Sequence, residues 1–122
     1  MKTPYTHLNP DIFDIFKLYL TIPEAAKKVL CAGIEGRKKD RTTDLKEARH
    51  TINRAIEMVA DNEVITIPRI NAELINKVHA TYSKVVKNQL QLETGIILLR
   101  FCQSNDIQLL FKAVENLDKL LK

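Results

Sequence analysis

The sequence predicts an all-α fold, a helical bundle of four to six helices of the up-down type, and three observations predict it. Glycine and proline are scarce, three and four in 122 residues, whereas a fold of many short strands needs frequent turn residues. Hydrophobic side chains recur at three- and four-residue steps through most of the chain, the mark of a helix that buries one face. Usage is 45% hydrophobic and 28% charged, that of an ordinary folded domain rather than a disordered tract. A chain of this length builds one core and not two, so a single helical-bundle domain over 1–122 is expected.

Taken in order, Asn9 and Pro10 have the pattern of an N-cap and first helical residue, with Asp11 and Asp14 at the positive end of the helix dipole. A first helix over about 10–20 is predicted. Thr21 and Glu24 have capping-box spacing and open a second helix. Its apolar positions are Ile22, Ala25, Ala26, Val29, Leu30 and Gly33, and Gly36 supplies a left-handed closing residue. Asp44 and Glu47 repeat the capping-box spacing. Leu45, Ala48, Ile52, Ala55, Ile56 and Val59 then form the stripe of a third helix that ends near Asn62. The β-branched stretch "EVITIP" reads as a short extended connector, after which Pro68 suits a helix start. The fourth helix carries Ile70, Leu74, Val78, Tyr82 and Val85 on one side. With no glycine or proline before Gly95, it either continues or bends near 93–95 into a further helix through Cys102. Ser104 or Asn105 caps the last helix, whose main stripe is Ile107, Leu110, Val114, Leu117 and Leu121. Leu109, Ala113 and Leu120 make a second stripe. A helix apolar on two sides, next to "IILLRFC", predicts a homo-oligomer joined through 95–121; the alternative is that the two segments form the central hairpin of a monomeric bundle.

Several function classes are excluded. The run "GIILLRFC" is interrupted by Arg100 and is far shorter than the roughly 20 apolar residues of a spanning helix, so no membrane partner is expected. Pro4, Pro10, Asp11 and Asp14 interrupt the place where a secretory signal has its apolar core, which predicts a cytoplasmic protein. Cys31 and Cys102 belong to no CxxC pair and read as free thiols. His7 and His79 have no ligand partner at metal spacing, so no metal is expected. There is no nucleophile with a base, no phosphate-cradling glycine loop and no paired-carboxylate motif. The expectation is therefore not an enzyme, with no catalytic residue, no cofactor and no small-molecule substrate.

Charge gives the positive indication. Residues 27–54 hold nine Lys or Arg against four acids, a larger excess than the formal +4 of the whole chain. Arg37, Lys38, Lys39 and Arg41 lie in "EGRKKDRTTD". Lys46, His50 and Arg54 form one row at i, i+4 and i+8, with Arg49 beside them, and Lys77, Lys84 and Lys87 face only Glu73 on the fourth helix. A clustered cationic surface is what binding to a phosphate backbone uses. Nucleic-acid contacts are thus predicted from Arg37, Lys38, Lys39 and Arg41, widened by Lys46, Arg49, Arg54, Lys77, Lys84 and Lys87. The plainer reading is that these are solubilising side chains. Tyr82 is the sole Tyr or Phe in 27–87, so base stacking is disfavoured and RNA or duplex backbone is the expected ligand.

Two alternatives stand beside this. One is a protein-protein interaction module, a chaperone, adaptor or immunity-type bundle, working through the apolar 95–121 surface. The other is a histidine phosphotransfer domain: "ARHTINRAI" around His50 partly matches the phosphoacceptor box of sensor kinases, with Thr51 in place of its acid and Ala55 in place of its proline.

Residues 22–36, "IPEAAKKVLCAGIEG", carry Ile22, Ala25, Ala26, Val29, Glu35 and Gly36 in the order I-x-x-A-A-x-x-[IV] followed by E-G. In this the chain resembles the small four-helix-bundle proteins encoded in intervening sequences of ribosomal RNA genes and the related accessory variability proteins of retroelements. Ala48, Arg49 and "VADNEVIT" extend the resemblance to about residue 88. It implies a basic, often oligomeric bundle that works with RNA or a nucleoprotein partner. Residues 89–122 lie outside it.

Overall fold

The computed structural model describes the backbone of residues 12–60 and 70–122 and the side chains of 22–58 and 70–122. The described residues form five helices and no strand. These are α1 (Ile12–Cys31), α2 (Arg41–Ala60), α3 (Ala72–Tyr82), α4 (Gln89–Ser104) and α5 (Ile107–Leu120). α1 packs on α2 and α4, α5 packs on the same two helices, and α3 lies against α4. Four helices therefore surround one core and the fifth is an outer layer.

Cross-links between elements fix the directions. Gln91 at the start of α4 reaches carbonyls at the end of α1. Tyr82 at the end of α3 reaches Cys31 at the end of α1, and Arg49 of α2 meets Asp118 near the end of α5. Each helix runs against the one before it, the up-down alternation that the sequence predicts. One end of the bundle consequently gathers the end of α1, the start of α2, the end of α3 and the start of α4.

The main core joins Ile22, Ala25, Ala26 and Val29 of α1, Leu45, Ala48, Ile52 and Ala55 of α2, Leu98, Phe101 and Cys102 of α4, and Leu110, Ala113 and Leu117 of α5. The alanines on α1 and α2 let those helices approach closely, and the larger side chains of α4 and α5 fill the remaining space. A second, smaller core places Leu30, Ile75, Val86, Leu92 and Ile96 under α3. Gly95 sits where α1 and α4 cross: a Cβ there would overlap Cγ and Cδ2 of Leu30. Its missing side chain is what permits this contact.

The structure corrects the predicted elements in four places. The break at Thr21 is absent, since α1 runs unbroken from Ile12 with Pro23 inside it. Proline removes one helix hydrogen bond, while the apolar face of Ile22, Ala25, Ala26 and Val29 is fully buried and holds the helix together. α2 begins at Arg41, not at Asp44, because Asp40 is the cap: its carboxylate accepts from the Thr43 amide at 2.7 Å. The predicted fourth helix neither continues nor bends at 93–95. It ends at Tyr82, and α4 starts afresh after the N-cap Asn88, whose side chain accepts from the Gln91 amide at 3.0 Å. α3 therefore buries Ile75 and leaves Leu74 exposed, with Val85 exposed in the following turn, because it lies at the edge of the bundle, chiefly against α4. Asp106 caps α5, and Asn105 before it takes the left-handed conformation.

The apolar excess of 95–121 goes largely inside. Ile96, Leu98, Phe101, Cys102, Leu110, Ala113 and Leu117 are all buried, and of the large hydrophobics in this segment Phe111 alone is exposed. The hairpin α4–α5 is thus a central part of the bundle. The predicted helix start at Asn9 and Pro10, the end at Asn62, the connector 63–68 with Pro68, and His7 lie outside the described residues.

Candidate nucleic-acid interface

The basic stretch 35–44 folds as the tight connection from α1 to α2 and the first turn of α2. Gly33 and Gly36 both have positive φ, 76° and 87°, which L side chains adopt only with strain. Gly33 has a second constraint, because a Cβ there would lie 3.1–3.3 Å from the Cβ, Cγ and Cδ of Arg41. The stem of Arg41 is laid across the turn in this way, and its Nε donates to Gln91 Oε1 at 3.1 Å.

Gln91 is 3% exposed. Its Nε2 donates to the carbonyls of Val29 and Ala32, both at 2.8 Å. One buried amide thereby satisfies two carbonyls at the end of α1, which have no partner within the helix, and its oxygen fixes Arg41 from α2.

Arg37 is also held. Its Nε and Nη2 donate to the two carboxylate oxygens of Asp44 at 2.9 Å each, a bidentate pair. Asp44 is 0% exposed and Arg37 retains 24% exposure. The hydrogen bonds from Arg37 keep the Asp44 carboxyl below its usual range despite burial, and the Arg37 guanidinium is correspondingly raised. Glu47 accepts from Lys39 at 2.7 Å and from Lys28 at 3.4 Å, and its carboxyl is also lowered, chiefly by the Lys39 bond.

These pairs redistribute the ten predicted contact residues. Arg37, Lys39, Arg49, Arg54 and Lys77 are each paired with an acid: Asp44, Glu47, Asp118, Glu57 and Glu73 respectively. Lys38, Arg41, Lys46, Lys84 and Lys87 have no ion-pair partner among the described residues. Of these, Arg41, Lys84 and Lys87 come together. They line a cleft of about 700 Å³ between the α1–α2 connection and the α3–α4 turn, together with Glu35, Asn88 and Gln91 and the apolar Ala32, Ile34, Val85 and Val86. Asn88 places the positive end of α4 at the wall of this cleft.

The row on α2 is exposed, as its spacing predicts. Lys46, Arg49, His50 and Asn53 line a shallow groove of about 210 Å³ on its outer face. Lys77 borders a separate groove with Glu73 and Leu74. Tyr82 is half-buried, with its hydroxyl 3.8 Å from Cys31 Sγ. Cys102 lies in the core, where loss of solvation pushes its thiol up to about 11. Among the described residues no cluster of potential metal ligands occurs, and no helix is long and apolar enough to cross a membrane.

Reasoning from sequence missed Gln91 and Asn88. The signal was present as N-x-x-Q at 88–91, a cap followed three residues later by glutamine, which marks a helix start. Reading it would have ended α3 earlier and set Lys84 and Lys87 in a turn. Comparison of the chain with protein-family models, with curated proteins and with solved structures finds no match.

Proposed function

We propose that this protein binds nucleic acid, RNA or duplex, through phosphate contacts at the basic end of the bundle. The single observation that supports this is the cleft in which Arg41 meets Lys84 and Lys87, more than forty residues away in sequence, with Glu35 as the one acid. Cations clustered in excess of the acids around them attract a polyanion and release its counterions on binding. The interface is smaller than the charge count suggests, because Arg37, Lys39, Arg49 and Arg54 each already have an acid as partner. Lys38 and Lys46 remain available to widen it.

The test is binding of structured RNA and of duplex DNA, followed by fluorescence anisotropy over a salt series. Affinity is expected to fall steeply with salt, and Lys84→Glu with Lys87→Glu to lower it roughly tenfold or more for every sequence. Salt-independent binding, or none, removes the proposal. Arg37 is not suited to this test, since its loss disturbs the fold.

One observation favours a second reading, self-association or partner binding through α5. Phe111 is 48% exposed on the outer face of that helix. Phe111→Glu should then change the sedimentation coefficient or abolish partner capture without altering the thermal midpoint; unchanged sedimentation and capture dispose of it.

A further inference from the structure

We infer that the cleft between the α1–α2 connection and the α3–α4 turn receives a terminal phosphate of the nucleic acid, a phosphomonoester, in preference to the phosphodiesters along its length. The inference rests on the proposed nucleic-acid binding and narrows it.

The site is a recess and not a flat face. It is half open to solvent, and its volume of about 700 Å³ is comparable with that of clefts that take a small ligand. An internal stretch of duplex is convex and offers its phosphates along a ridge, so it can touch the rim lysines without filling such a recess. A strand end can enter. The charges agree with this choice: Arg41, Lys84 and Lys87 face Glu35, an excess suited to a terminal phosphate, which carries close to two negative charges at neutral pH where a diester carries one.

The three cations are not equivalent. Arg41 is a fixed donor, with its stem against Gly33 and its Nε bonded to Gln91, so a phosphate meeting its outer nitrogens loses little side-chain entropy in the complex. Lys84 and Lys87 lie on the exposed turn and can close over the group from the other side. Asn88 contributes the positive end of α4 at the wall. Ile34 and the exposed Val85 provide an apolar surface in the same lining for the terminal sugar and base. No aromatic side chain lines the cleft, so the terminal base is held by shape and not by stacking, and discrimination rests on the phosphate.

The experiment uses one short RNA hairpin in three forms, with a 5′-phosphate, with a 3′-phosphate and with hydroxyls at both ends, titrated by anisotropy against the full chain. A nucleoside monophosphate serves as competitor. At least one phosphorylated form is expected to bind roughly tenfold more tightly than the hydroxyl form, and which one identifies the end recognised. The monophosphate should displace it, and Lys84→Gln with Lys87→Gln should erase the difference while leaving the thermal midpoint unchanged. Equal affinity for all three hairpins overturns the inference and leaves nucleic-acid binding standing; failure of all three hairpins and of duplex DNA to bind removes both. A preference that persists in the lysine variant places end recognition elsewhere and also overturns it.

Discussion

Arg37 and Lys84 illustrate two uses of positive charge in one small protein. Arg37 is tied by two hydrogen bonds to a carboxylate that has no contact with solvent, whereas Lys84 stands on an exposed turn with no ion-pair partner among the described residues. Both count equally toward the formal charge. What separates them is that the α1–α2 connection has Asp40, Asp44 and Glu47 close at hand, and the α3–α4 turn has no acid between Glu73 and Glu93. A run of cations interleaved with acids is largely paired within the fold, and a sparser run without them keeps its charge unpaired.

The strongest way to break this contrast is to remove the internal pair. Arg37→Met strands a buried carboxylate, and a loss of about 3 kcal/mol is expected in urea unfolding. Lys84→Met should change stability by less than about 0.5 kcal/mol. The pH dependence sharpens the same point. The folded Asp44 carboxyl is held below the ordinary 3.8 by Arg37, so its contribution is complete above that value and is lost as pH falls through the lower, folded one. Wild type should therefore lose this stability on acidification below about pH 4, and Arg37→Met should have a flatter acid limb.

Next in size is Gln91→Ala, which leaves the Val29 and Ala32 carbonyls without their donor and frees Arg41. A cost of about 2 kcal/mol is expected, together with weaker ligand binding, since Arg41 then loses its fixed position. Gly95→Ala is smaller and more informative in sign. Overlap with Leu30 costs roughly 1–3 kcal/mol, against about 1 kcal/mol gained from the better helix former. In a Leu30→Ala background the overlap disappears, and the same substitution should become stabilising.

Much of this fold was legible in the sequence where local chemistry and tertiary packing agree. Ile22, Ala25, Ala26, Val29, Leu45, Ala48, Ile52, Ala55, Leu110 and Leu117 follow helical period and are buried as that period predicts. Reading failed where packing overrides a local signal. Pro23 and the Thr21–Glu24 spacing suggest a boundary, yet the buried face carries the helix through it. Gly95 suggests a bend, yet the glycine serves a close crossing. At the site, the cations Arg41, Lys84 and Lys87 could be named from charge, but their grouping and their neighbours Asn88 and Gln91 could not. Nothing in linear order indicates that Asp44 is a buried partner and not a cap, or that Arg41 and Lys87 share one recess.

The Arg37–Asp44 pair closes a span of seven residues, far shorter than the separations that join α1 to α4. Short loops close quickly and cost little chain entropy, so the α1–α2 corner is expected to close early in folding. Substitution there should slow refolding nearly in proportion to the stability lost, and substitution at Ile75 beneath α3 should instead mainly quicken unfolding. The same short-range bond that withdraws a charge from the surface would then also set the order in which the bundle assembles.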